Sequence, residues 1–194
     1  MRDHKSTIQN ARLAFSSPTA VFGVKGPSQL MRCPKFDIIY GFVVDYMHCV
    51  DLGVTRMLVN LWLDSRNHVY DWYIGKKVSE LDERLFNIRP PFNITRLPRS
   101  LNQRKFWKAS EWRAFLIFYS LHVLTDVLPA VYVEHFALLS HSMFLLLQVS
   151  ISSSELDLAD ELLNKFVSDF EHLYGIVNMS YNVHLLLHVI SLSI

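Results

Sequence analysis

Val43–Gly53, VVDYMHCVDLG, places Asp45, His48, Cys49 and Asp51 within seven residues, between apolar neighbours. From Tyr46 onward the apolar positions Met47, Val50, Val54, Leu58, Leu61 and Trp62 recur at spacings of three or four. That is the period of one helix face, and it predicts a helix to about Asp64. Asp45 and His48, three apart, then share a face. Just upstream, Phe36–Val44 is rich in β-branched and aromatic residues and is read as a short strand.

Working outward, residues 1–35 hold turn formers (Ser16-Ser17-Pro18, Gly23, Gly26-Pro27, Pro34) with little periodicity, the pattern of an extended arm. Val78–Asn87 reads as a helix with Leu81, Leu85 and Phe86 inward. Residues 89–108 read as a loop, broken by Pro90-Pro91 and Pro98. An apolar helix follows from Ser110-Glu111 to about Leu128, and another from about Ala130 to Val149. Ser152-Ser153-Ser154-Glu155 signals a helix start, and Gly175 a helix end. Ser180 caps a last helix, predicted from Tyr181 to Ile194. The expectation is a mainly α domain over 36–194, with at most one or two short strands near 36–44.

The composition narrows the function. The chain has 194 residues, 51% hydrophobic and 19% charged, with a net charge of +1. It is long enough to bury a real core, and its overall charge does not mark a nucleic-acid binder. Cys33 and Cys49 make neither a disulfide framework nor a CxxC pair. The apolar windows Trp112–Leu128 and Phe136–Ile151 are interrupted by Arg113, His122, Asp126, His141 and Gln148. They read as buried helices rather than membrane spans. The polar start MRDHKSTIQN leaves an intracellular location as the expectation.

Two groups of residues carry candidate chemistry. His184 and His188, in NVHLLLH, are four apart, a spacing that lets two imidazoles reach one ion. With Asp45 and His48 they offer one carboxylate and three histidines for a metal; the alternative is a set of hydrogen-bonded helix residues. The segment RLPRSLNQRKFWK interleaves Arg96, Arg99, Arg104, Lys105 and Lys108 with Phe106 and Trp107. Cations beside aromatics suit phosphate neutralisation and base stacking. The alternative is a solvated loop with Trp107 in the core. No Gly-rich phosphate loop, nucleophile elbow or Ser/His/Asp arrangement is present.

Four longer stretches, GVKGPSQL (Gly23–Leu30), FDIIYGFVVDYMHCVDLGVTRMLVNLW (Phe36–Trp62), LPRSLNQRKFWKASEWRAFLIFYSLHVL (Leu97–Leu124) and NMSYNVHLLLH (Asn178–His188), resemble the CACTA or En/Spm-type transposases. The resemblance runs from about Gly23 to His188. It implies the helical insertion, over about 76–175, of an RNase H-like DDE core, in which two Asp and one Glu hold two Mg or Mn ions for strand transfer. In that pattern a Cys/Asp-x-x-His motif follows the second catalytic Asp, and a His-x(3–4)-His motif precedes the catalytic Glu. These match Asp45–His48 and His184–His188. In a related recombinase the equivalent pairs meet on one zinc ion, so a structural zinc is implied here.

The resemblance also places the catalytic carboxylates in sequence not present here, upstream of Gly23 and beyond His188. The expectation is therefore a truncated, transposase-derived chain without strand-transfer activity of its own, nuclear if functional. Its expected partners are the DNA backbone, another copy of itself or a full-length transposase. An alternative is a domesticated, zinc-stabilised protein-interaction module. A nuclease acting directly through Asp45, Asp51 and the histidines ranks last, because a two-metal site wants several carboxylates.

Overall fold

A computed structural model describes residues 3–39, 41, 44–90, 94 and 96–190. They divide into two units, one within Met1–Val44 and Ser191–Ile194, the other Asp45–Ile190. The described residues are mainly helical and contain no strand.

In the first unit the expected extended arm opens instead with a helix. Helix α1 (His4–Phe15) starts from a capping box: Ser6 N–H donates to Asp3 Oδ1 at 2.9 Å, and Asp3 N–H donates to Ser6 Oγ at 3.3 Å. Its buried positions, Thr7, Ala11 and Ala14, keep helical spacing. They are too small to give a strong periodic signal. A reciprocal pair of 2.9 Å backbone bonds between Val21 and Val24 then closes a turn over Phe22 (φ 46°) and Gly23 (φ 77°). The predicted strand at 36–44 is corrected where it can be followed. Ile39 N–H bonds Asp37 Oδ1 at 2.7 Å and Gly41 N–H bonds Asp37 O at 2.8 Å, which bends the chain back on itself. Asp37 thus outcompetes a ladder partner for the local donors. Tyr40, Phe42 and Val43 lie outside the described residues.

The second unit begins with a π-helical stretch, Met47–Thr55, which continues into α2 (Arg56–Leu63). Arg56 N–H reaches back five residues to Asp51 O. Helix α3 (Val78–Asn87) buries Val78, Leu81 and Leu85, while Phe86 is exposed rather than inward. Leu101–Phe106 inside the predicted loop forms a 3₁₀ helix, because Ser100 Oγ caps Asn102 N–H and Asp82 accepts the Leu101 N–H. The predicted helix from Ser110 is three consecutive pieces: α4 (Ala109–Ala114), a π turn over Phe115–Tyr119, and α5 (Ser120–Leu124). It ends before Leu128, where Asp126 turns left-handed (φ 64°).

Helices α6 (Ala130–Leu146) and α7 (Ser153–Tyr174) form an antiparallel hairpin that is the centre of the core. The helix start read at Ser152–Glu155 is a capping box between Ser152 and Glu155, and Gly175 closes the helix at φ 79°. His135 on α6 stacks on Phe166 of α7 at 4.2 Å, and its Nε2–H donates to Phe166 O at 2.8 Å. Trp62 of α2 meets Phe136 edge-on at 5.2 Å, which ties α2 to this hairpin. The last helix is shorter than predicted: α8 (Tyr181–Leu185) tightens into a 3₁₀ turn over Leu186–His188, and residues 191–194 lie outside the described ones.

Candidate functional site

The two motif-bearing elements, Met47–Thr55 and α8, pack against each other. Cys49 S–H donates to Asn182 O at 3.4 Å across a separation of 133 residues. Gly53 permits the approach: a Cβ there would lie 2.5 Å from Asn182 Nδ2 and 2.8 Å from His48 O. The helical excursion between the motifs thus returns the chain to its starting element.

The motif side chains do not converge to the same degree. Asp45 Oδ2 and His48 Nδ1 are 2.7 Å apart, with side chains 58% and 66% exposed. The His48 ring and backbone N–H hold the Asp45 carboxyl below its ordinary value. The His184 and His188 rings meet edge-on, with centroids 5.2 Å apart. Among the described residues, no three His, Cys, Asp or Glu side chains are placed to share one ion. The geometry is two separate pairs. A tetrahedral zinc takes four donors at roughly 2.0–2.3 Å, and the residues as placed do not form that shell.

Cys49 and Asp51 turn inward. Burial pushes the Cys49 thiol up to about 11 and the Asp51 carboxyl up to about 7. The Tyr46 hydroxyl and the Arg113 guanidinium draw Asp51 partly back, while Asp45 opposes them. Asp51 is 2% exposed, and its Oδ1 has no hydrogen bond of normal geometry. These two residues belong to the core side of the stretch.

The basic segment also divides. Arg99 clamps buried Glu111 with Nε–Oε1 at 2.6 Å and Nη2–Oε2 at 2.8 Å, and Nη2 also donates to Phe106 O. Burial alone would raise the Glu111 carboxyl. The Arg99 fork and the Lys108 N–H outweigh it and hold the group below its ordinary value. Arg96 stands 3.9 Å from the same carboxylate. Arg104 bonds Asn60 Oδ1 at 2.8 Å and Leu101 O at 3.1 Å. Trp107 is buried against Trp112, with ring centroids 4.8 Å apart. What remains outward is Arg96, Lys105, Lys108 and Phe106, with Phe106 62% exposed and Lys105 Nζ 4.7 Å from its ring centre.

A feature absent from the sequence reading adjoins this segment. An open cleft of about 540 Å³ runs between the outer face of Leu52–Asn67 and the start of α8, and includes Arg56, Asn60, Asp64, Arg66, Ser180 and Asn182. The signal was present: Arg56, Asn60 and Asp64 form a polar line, four apart, through a largely apolar run. Only the packing of α8 turns that line into one wall of a cleft. No helix among the described residues is long and apolar enough to cross a membrane. No family model, curated protein or solved structure matches this chain.

Proposed function

We propose that this chain is transposase-derived and binds the DNA backbone through the outward edge of the segment 96–108. The observation that carries the reading is the division of that segment. Arg99 and Trp107 are committed to Glu111 and the core, while Lys105, Phe106 and Lys108 are presented to solvent beside Arg96. Cations flanking an exposed ring suit phosphate contact with stacking on a base or sugar. The packing of Met47–Thr55 on α8 supports the resemblance, since that pattern brings its two motifs together around a helical excursion. Binding of this kind is salt-sensitive and largely indifferent to sequence. No step of strand transfer is assigned to these residues, and a nuclear location follows only from the reading itself.

The structural zinc belongs to the same proposal as a separate arm. Joining the pairs on one ion requires Asp45 and His48 to exchange their mutual 2.7 Å contact for the metal. Metal content of the purified chain, beside a His184→Ala/His188→Ala control, decides that arm.

The DNA arm is tested by Lys105→Ala/Lys108→Ala. In 50 mM salt the double variant is expected to bind a duplex about tenfold more weakly or worse. The slope of log K against log salt should fall by roughly 1.8, at about 0.9 per phosphate contact on a duplex. Unchanged affinity and slope would remove the segment from the account.

A further inference from the structure

The cleft beside Leu52–Asn67 has the chemistry of a ligand site. It is lined by apolar Leu52, Met57 and Leu61 and by polar groups, Arg56, Asn60 and Asp64 from Leu52–Asn67 and Ser180 and Asn182 from the start of α8. The lining charges are unequal in availability. Arg66 is held by Asp64 in a fork, Nε–Oδ1 at 3.0 Å and Nη2–Oδ2 at 2.6 Å, so this pair is close to neutral. Arg56 is exposed and makes no ion pair with any described carboxylate. Arg104 reaches the same lining through Asn60 Oδ1, which leaves the Asn60 amide N–H groups to donate elsewhere. One lining guanidinium outside any ion pair among the described residues, a second that reaches Asn60, two amides and apolar lining side chains suit a phosphate attached to a flat or apolar body.

Gly53 lets the Asn182 side chain sit close against Leu52–Asn67. Any larger residue would push Asn182 away from its place. Arg104 supplies continuity with the basic segment, since it belongs to 96–108 by sequence and to the cleft by its bond to Asn60.

We infer that this cleft binds a phosphate-bearing ligand, with Arg56 as the direct phosphate partner and Asn60 and Asn182 as flanking amides. For the source of that phosphate the inference rests on the DNA-binding reading: a backbone phosphate continues from the Lys105–Lys108 edge past Arg104 to Arg56. A free nucleotide or pyrophosphate offers the same chemistry.

The test uses the full chain and two probes, a fluorescent 12-nucleotide single strand in 50 mM salt and inorganic pyrophosphate. Readouts are DNA affinity with its salt slope, and the side-chain amide NMR signals of Asn60, Asn67 and Asn182. Arg56→Ala and Arg56→Glu alter an exposed side chain, and thermal unfolding checks that both remain folded. The expected result is three- to tenfold weaker DNA binding for Arg56→Ala and a slope lower by about 0.7. Arg56→Glu should be weaker still. Pyrophosphate should move the Asn60 and Asn182 amides of the parent and not of either variant. If the parent binds DNA and both variants bind it equally well, the inference is overturned while the 96–108 edge stands. If the parent ignores DNA but its amides respond to pyrophosphate through Arg56, the cleft is a free-phosphate site and the DNA reading fails. No response to either probe overturns both.

Discussion

Asp51 shows how far one residue's chemistry is set by the register of its helix. Its carboxyl is pushed by burial from 3.8 up to about 7. Between those values the folded state holds a proton that the unfolded chain has released. This contribution is therefore fully present below about pH 4 and is lost as pH rises through 7. Asp51→Asn keeps the shape without the charge. It is expected to flatten that loss and to exceed the parent in stability at pH 8 by on the order of 2–4 kcal/mol, since each tenfold change in proton affinity is worth about 1.4 kcal/mol. Urea midpoints at pH 5 and pH 8 measure it; equal midpoint differences at the two pH values would contradict the assignment. His135 works in the opposite sense. Burial lowers its imidazole below 6.5, so its contribution is lost as pH falls through that region. The sequence sets Asp45, His48, Cys49 and Asp51 within seven residues and does not say which of them are buried. What separated them was invisible there: Cys49, Val50 and Asp51 are buried in succession, a wider inward face than an α-helix would present.

At the scale of elements, the contact between Met47–Thr55 and α8 depends on a missing side chain. Gly→Ala inside a helix normally gains about 0.5–1 kcal/mol, because alanine restricts the unfolded chain. At Gly53 the added Cβ would stand 2.8 Å from His48 O and 2.5 Å from Asn182 Nδ2. The overpacking cost, typically about 1–3 kcal/mol, should win. Gly53→Ala is expected to lower the chain's stability and to shift the Asn182 side-chain amide. A stabilised variant with that amide unmoved would show that α8 does not rest on Gly53. Most helices were legible before the structure, because their caps and periods agree: Ser152 with Glu155, Gly175, and Leu81 with Leu85. Those that were missed have physical reasons. Helix α1 buries alanines and a threonine, which carry little hydrophobic contrast, and the 3₁₀ turn at Leu101 depends on Asp82, 19 residues away. The long-range partners Glu111 and Asn60 likewise decided which arginines face solvent.

For the whole molecule, stability concentrates where α2 meets the α6–α7 hairpin. Trp62 is wholly buried and edge-on to Phe136, and Trp72, Tyr132 and Tyr174 cluster beside the same hairpin. Trp62→Ala is expected to remove about 3–5 kcal/mol. Against a typical total of roughly 5–15 kcal/mol, that should lower the melting temperature by roughly 10 °C or more. Calorimetry would decide; a loss below about 1 kcal/mol would place the core elsewhere. The net charge of +1 conceals the distribution that matters, since cations gather at 96–108 while the carboxylates of α7 lie along another element.

The nine-residue π-helical stretch also acts as a phase shifter. In an α-helix each residue turns the chain by about 100°, so the exposed Asp45–His48 pair and the Arg56–Asn60 line would keep a fixed angle. The wider winding between them absorbs surplus residues and resets that angle without moving either end from its neighbours. A single-residue deletion within Met47–Thr55 would let the coil relax towards α geometry and swing one surface around the axis relative to the other.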